Sequence, residues 1–503
     1  MKLLIANRGE IALRVIQACR KLGISPITVY SDADKEALHV READEAHWIG
    51  PAPAKESYLD STKILAIAKK AKTKLIHPGY GFLSENAAFA RACEKEKFIF
   101  VGPSSQTISL LGNKLNAKAL AQKCGVPILT QAEAEPNDLD HFKKICRNLK
   151  FPILLKAVGG GGGKGIRIVR HQKEAESAFQ LASSEALSAF KNPKLYLEPY
   201  LTKAHHIEIQ VMADSHGRVV ALGERECSIQ RRFQKLIEES PSPFMTAELR
   251  AKMEAAATTL FKAAGYVNAG TVEFLVDAKH NFYFLEVNTR LQVEHPVTEM
   301  VYGIDLVAEQ INVALGKELS FAKKPQPRGH AMELRICAED PSNHFFPATG
   351  TIDYLQTPLE PKTRLDACWY VGMKSSLYYD SLLAKLIAWG KTREEARQKL
   401  NQTLESFLIS GVQTNLPFFK QILNDPDFKQ GKIHTQFVEE FLKKSKPKPN
   451  SQSLRACVAA LLYHWDNEQK QRVTFKLTGQ KKSKWQTQLY ELHRYSRSKK
   501  IFC

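Results

Sequence analysis

No stretch of this chain is apolar over the roughly 18 to 20 residues that span a bilayer, which excludes a helical membrane protein. The nine cysteines are scattered, and no CxxC pair occurs among them. In so large a chain, an odd cysteine count reads as reduced thiols and not as a disulfide framework. The opening MKLLIANRGEIALRVI lacks a small-residue cleavage site and an Arg- and Ser-rich presequence, so a cytoplasmic product is expected. No internal repeat is present.

What is there describes a large soluble protein. The 503 residues, 44% hydrophobic and 25% charged, are enough for about three domains with a sizeable core. The net charge of +19 is unevenly spread: Lys443 to Cys503 hold 15 Lys and Arg against three acids, Asp466, Glu468 and Glu491, so the body is only mildly basic. KKSKPKPNSQS, rich in Lys, Pro and Ser, reads as a linker into that tail.

Along the chain, KLLIAN has strand length, and Ile11, Val15, Ala18 and Leu22 recur at helical spacing between Gly9 and Gly23. ITVYSD follows as a second strand. This order makes a βαβ unit and an open α/β domain over the first 110 or so residues. LIHPGYGFLSEN and FIFVGPS end in Gly and Pro, where such sheets present binding loops. A middle region, about 113–328, carries the glycine run, the strands HIEIQVMAD and VVALGERECSIQ and a helix around Ala247 to Ala264. TVEFLVDAKHNFYFLEVN reads as a β-hairpin turning at Ala278 to Asn281. A third region, to about 445, mixes strands with the helix TREEARQKLNQTLESF.

Four constellations could carry chemistry. The run Gly159 to Gly163, between Lys156 and Lys164, is either a linker or a loop whose backbone N–H groups cradle phosphate. It does not fit GxxxxGK[ST], because Gly165 and Ile166 follow Lys164. On the hairpin, Glu286 and Asn288 share a face and Glu273 lies on the neighbouring strand, so three oxygen donors converge as Mg²⁺ requires. The alternative is a solvated face, but carboxylates among Phe274, Leu275, Phe284 and Leu285 would be costly unpaired. Arg290, Glu294 and His295 in TRLQVEHPVTEM, and Arg231, Arg232 and Lys235 in ERECSIQRRFQK, could hold a small oxyanion beside a base or form a surface salt-bridge network. His205 and His206, at a strand end, are more often structural than catalytic. A glycine lid, lysines and a Glu, Glu, Asn set together describe a Mg-nucleotide site built without a P-loop.

ANRGEIALRVI, HPGYGFLSEN, KAVGGGGGKGIRIV, HIEIQV, ERECSIQRRFQK, EVNTRLQVEHPVTEM, ELRICAEDP and YYDSLLAKLIAWG resemble, in order, the signatures of biotin carboxylase, across about residues 1 to 445. The resemblance implies an α/β fold, in parts α+β. It comprises a Rossmann-like domain (1–112), an ATP-grasp domain (113–328) with a mobile lid at about 128–200, and a mixed C-terminal domain (329–445). It also implies a reaction: ATP phosphorylates bicarbonate to carboxyphosphate, which releases CO₂ and phosphate. The phosphate takes the proton of biotin N1, and the resulting enolate captures the CO₂.

Carried over by position, Lys114, Lys156, Gly162, Gly163, Glu198, Leu201, His206, Gln230 and residue 233 match nucleotide-binding positions. Glu273, Glu286 and Asn288 match ligands of Mg²⁺ or Mn²⁺. Lys235, Arg290, Gln292 and Val293 match the bicarbonate pocket, Glu294 its base, and Arg335 the arginine that steadies the biotin enolate. One position departs, since QRRFQK has Phe233 where the family has a nucleotide-contacting histidine, and weaker nucleotide binding is expected. No AMKM-like motif occurs, so biotin is expected on a separate carrier chain, with carboxyltransferase subunits and a second copy of this chain as further partners. The tail 446–503 reads as a docking segment or a solvated tail, with nucleic-acid binding ranked last. Two other functions stay open: an ATP-grasp ligase acting on a different nitrogen, and a non-catalytic ATP-binding component of a carboxylase assembly.

Overall fold

The computed structural model describes residues 1–129, 132–134, 138–157, 166–190, 192–321 and 323–444. Gly162, Gly163 and the basic tail therefore lie outside the described residues. Strands Lys2–Ile5, Ser25–Ser31, Glu45–Gly50, Leu75–His77 and Ile99–Phe100 form a five-stranded sheet in the order third, second, first, fourth, fifth, with every pair parallel. The first crossover is the helix Gly9–Lys21, whose Ile11, Ala12, Val15, Ile16, Ala18 and Cys19 are buried at the spacing that the sequence shows. Where the strand order reverses, Asn7 Nδ2 donates to the carbonyls of Pro78 at 2.6 Å and Tyr80 at 2.8 Å, tying two strand-end loops together. Gly79 sits there at φ +63°, and a Cβ would meet Asn7 Nδ2 at 2.8 Å, so both backbone and space demand glycine.

The second sheet has eight strands, all in antiparallel pairs. In spatial order they are Phe282–Asn288, Asn268–Val276, His205–Ala213, Val219–Arg231, Gln234–Ser240, His330–Cys337, Leu382–Gly390 and Thr363–Ala367. It runs unbroken across residue 328, since Gln234–Ser240 pairs with His330–Cys337. One end is covered by the helix Ala247–Ala263, through Leu249, Met253, Ala257, Leu260 and Phe261. The other end is covered by the helix Arg393–Glu405, through Ala396, Leu400 and Leu404. Each such buried leucine contributes about 2 kcal/mol of apolar burial. A smaller sheet orders Ala132–Ala134, Leu195–Pro199, Ile153–Ala157 and Ile166–Val169, and the glycine run joins the last two strands. Among the described residues no helix is long and apolar enough to cross a membrane.

One buried group sets an acid limit on this fold. Glu239 accepts from Arg393 Nε at 2.7 Å and pairs with His330 Nε2 at 2.6 Å. Burial alone would raise its carboxyl, but Arg393 and the His330 bond bring it down to about 2, from an ordinary 4.5. A depressed carboxylate contributes stability above its unfolded value and loses it as pH falls through the folded one. The expected loss between pH 4.5 and about 2 is on the order of 3 kcal/mol. Glu239→Gln should flatten that limb of a urea-midpoint-versus-pH curve, and an unchanged slope would show that Glu239 is not its source.

Candidate functional site

The hairpin forms as its alternation requires. Glu273 pairs with Glu286 and Thr271 with Asn288, with a bulge after Glu273, so the two carboxylates and the amide share one face. Glu273 is buried and accepts from Lys235 Nζ at 2.8 Å, Asn288 Nδ2 at 2.9 Å and Gln292 Nε2 at 3.3 Å, and it pairs with His206 Nε2 at 3.0 Å. Glu286 is half-buried and meets Lys114 Nζ at 3.2 Å. An all-oxygen set of two carboxylates and one amide, with Lys114 beside Glu286, fits a hard divalent cation that completes its shell with phosphate oxygens. His206, Glu208 and Glu273 also converge within 4.8 Å, but Lys235 already lies between Glu208 and Glu273 and makes that spot a poor place for a second cation.

Lys235 is the centre of the site. Its ammonium donates to Glu208 Oε2 at 2.7 Å, Glu273 Oε1 at 2.8 Å and Glu294 Oε1 at 2.6 Å. The other oxygen of Glu294 accepts from Arg335 Nη2 at 2.8 Å, and Arg335 Nε donates to Glu238 Oε1 at 2.5 Å. Beneath them the fully buried Arg225 pairs with Glu208 and donates to Gln210 Oε1 at 2.7 Å, Thr298 Oγ1 at 3.0 Å and Thr271 Oγ1 at 3.1 Å. Burial pushes all four glutamates up, but the neighbouring cations split them. Lys235 and His206 hold Glu273 well below the carboxylate range, and Lys235, Arg335 and Arg225 do the same for Glu294. For Glu208 burial wins and the pKa is raised, and for Glu238 it reaches about 7. Carboxylates pushed apart in this way mark a site built for proton movement.

Arg290 closes one wall, bonding Glu85 Oε2 at 2.9 Å, Asn288 Oδ1 at 3.1 Å and Gln292 Oε1 at 3.1 Å. The Val293 carbonyl accepts from Lys385 Nζ at 2.9 Å. On the smaller sheet, Lys156 Nζ donates to Glu198 Oε2 at 2.5 Å, and Lys118 pairs with the other oxygen. Burial would raise Glu198, but the two lysines keep it low. Gln230 Nε2 lies 3.5 Å from His206 Nδ1, and Leu201 is half-buried just past the strand Leu195–Pro199.

Phe233 is not drawn into this cluster. It occupies the turn between Val219–Arg231 and Gln234–Ser240 at φ +66°, after Arg232 at φ +50°, and is 42% exposed. Bulky residues resist left-handed backbone more than histidine does. Phe233→His is therefore expected to keep or slightly raise stability and, by adding one hydrogen bond to nucleotide, to lower the KM for ATP about 2- to 10-fold. An unchanged KM would remove position 233 from the nucleotide site.

Glu208, Arg225, Glu238, Lys118 and Glu85 were not singled out from the sequence. Two of them left a signal there. Glu208 alternates with His206 and Gln210 along a wholly buried strand, a polar row where an apolar one would be expected. Lys118 follows Lys114 by one turn of the helix Lys114–Lys123, on the same face.

Lysines and a carboxylate-bearing hairpin on two antiparallel sheets, with no P-loop, define an ATP-grasp enzyme. Family models match in sequence: "Biotin carboxylase, N-terminal domain" over 1–108, "Carbamoyl-phosphate synthase L chain, ATP binding domain" over 113–322 and "Biotin carboxylase C-terminal domain" over 333–440. The chain is 48% identical over 442 residues to Biotin carboxylase 1 of Bacillus subtilis, covering 88% of this chain and 98% of that one. It is 45% identical over 443 residues to the biotin carboxylase of a Nostoc species, covering 88% and 99%. The biotin carboxylase domain dimer of Hydrogenobacter thermophilus 2-oxoglutarate carboxylase, solved with MgADP, ADP and bicarbonate, superposes with a TM-score of 0.84 at 43% identity, covering 87% of this chain and 97% of that one. This chain belongs to the biotin carboxylase family.

Proposed function

We propose that this chain uses ATP and bicarbonate to carboxylate biotin held on a separate carrier protein, with Glu294 as the base that deprotonates bicarbonate. The observation that carries the reading is the shared ammonium: Lys235 bonds both Glu273 and Glu294, while Arg335 holds the second oxygen of Glu294. Held this low, Glu294 is ionised but a weak base. An anion that enters beside Arg290 and competes for Lys235 removes part of that stabilisation, so Glu294 becomes more basic when its substrate arrives. The bicarbonate hydroxyl proton then passes to Glu294, and the freed oxygen attacks the γ-phosphorus of ATP, with ADP leaving.

Lys114 and Lys156 would neutralise the phosphates. Glu273, Glu286 and Asn288 would hold Mg²⁺ or Mn²⁺, which when bound supplies charge neutralisation at the transferring phosphoryl group. Carboxyphosphate breaks to CO₂ and phosphate, phosphate accepts the biotin N1 proton, and Arg335 balances the charge left on the ureido oxygen. Burial of Glu208, Glu294 and Arg225 keeps this site dry, which protects the labile intermediate from water. The partners are then a biotinylated carrier, a carboxyltransferase and a second copy of this chain.

The test is ATP cleavage with Mg²⁺ and bicarbonate, with and without free biotin. Stimulation by biotin is expected. Cleavage that ignores biotin but responds to another nitrogen acceptor would point to a different ligase, and no cleavage at all would point to a non-catalytic component.

A further inference from the structure

Lys385 lies in the middle of the strand Leu382–Gly390 and is fully buried. Its strand reads LLAKLIAWG, where an apolar residue would cost nothing, whereas a buried ammonium is expensive unless paired. Three oxygens receive it. Lys385 Nζ donates to the Val293 carbonyl at 2.9 Å, lies 3.2 Å from Glu10 Oε2 and is 3.9 Å from Asp366 Oδ2. The Tyr80 ring centroid is 5.7 Å away.

The register gives these contacts meaning. Lys385 stands directly opposite Arg335 on one neighbouring strand and opposite Asp366 on the other. Arg335 holds the carboxylate of Glu294, and Lys385 holds the carbonyl of the residue before it. Two adjacent cations on paired strands thus grip two consecutive residues, one by its side chain and one by its backbone. Glu294 is the residue from which the helix His295–Tyr302 starts, so the Val293 peptide sets both the start of that helix and the origin of the Glu294 side chain. Glu10, on the first turn of Gly9–Lys21, in turn holds Lys385 against the N-terminal region.

We propose that Lys385 is a positioning residue for the reaction, acting through the Val293 carbonyl to set the place of Glu294, with Glu10 as its counter-ion. This rests on the reading of Glu294 as the base. Because Lys385 acts through a backbone carbonyl and not on substrate or nucleotide, its loss should affect the bicarbonate side of the site and spare the nucleotide side.

The experiment uses the full chain. Lys385→Met alone leaves Glu10 buried without its cation, whereas Asp366 keeps Arg364 at 2.6 Å, so the main variant is Glu10→Gln with Lys385→Met, and Lys385→Gln is read by the same criteria if the double variant does not fold. Melting, MgADP affinity, and kcat and KM for bicarbonate are measured. The expected result is a folded protein with unchanged MgADP affinity and a kcat/KM for bicarbonate reduced on the order of tenfold to a hundredfold. A folded variant with parental kcat and bicarbonate KM would overturn the proposal. So would one whose MgADP affinity falls by the same factor, because that is the mark of a general structural role. If the unaltered chain shows no bicarbonate-dependent ATP cleavage, the functional reading fails instead.

Discussion

Glu294→Gln is expected to cut biotin-dependent turnover by about 10²- to 10⁴-fold, the range for loss of a general base, and to leave MgADP binding in place. The substitution keeps size and one hydrogen-bonding oxygen, so Lys235 and Arg335 retain partial partners and the fold should survive. What disappears is the ability to accept a proton. In the proposed site the nucleotide would be held by other residues, Lys156 and Glu198 on the smaller sheet, where they pair with each other, and Lys114, which pairs with Glu286. A kinetic assay beside a calorimetric MgADP titration separates the two effects. Turnover that survives in Glu294→Gln would transfer the base role elsewhere, with Glu208, which shares Lys235, and Glu238, which shares Arg335, the next buried carboxylates to test.

Lys235→Met should be the most damaging single change to both activity and stability. It removes the one ammonium shared by Glu208, Glu273 and Glu294, leaving buried carboxylates with fewer compensating charges, a loss of about 3–5 kcal/mol for a broken buried pair. The pH dependence of that loss has a definite sign. In the parent, Glu273 and Glu294 lie well below their ordinary values, so their contribution is present above the unfolded pKa and is lost on acidification. In Lys235→Met both values rise, and the variant gains relative stability as its carboxylates protonate. The gap between urea midpoints should therefore narrow from pH 7 to pH 5. A gap of constant size would mean that Lys235 acts by packing its stem and not by charge.

Much of the site was legible because its signals are local. Strict alternation through TVEFLVD and FLEVN, with a four-residue turn between, was enough to bring Glu273, Glu286 and Asn288 onto one face. The first βαβ unit was equally readable, since helical spacing in IALRVIQACRKLG sits between two short apolar runs. The interior of the site was not readable in this way. Lys385 is a lone charged residue in a strand that looks apolar, while Arg225 between Glu224 and Glu226 and Glu238 beside Glu239 are not told apart locally from their charged neighbours, and the partners of all three come from other strands and helices. Glu10, an acid in the first turn of Gly9–Lys21, is buried beside Lys385, which nothing in its neighbouring sequence announces. Antiparallel pairing between distant segments has no local sequence signature, so the charge row across the sheet emerges only once the register is known.

The sheet that runs unbroken across residue 328 constrains how such proteins can diversify. Ile237 pairs with Leu334, Glu238 with Glu333 and Glu239 with Met332, so the strand after 328 is held in fixed antiparallel register against the strand that carries Lys235. It cannot be exchanged as a cassette without carrying the reacting groups out of alignment. The strand after residue 328 and the strand that carries Lys235 therefore behave as one unit, and any graft of this chain onto another module has to keep that sheet whole.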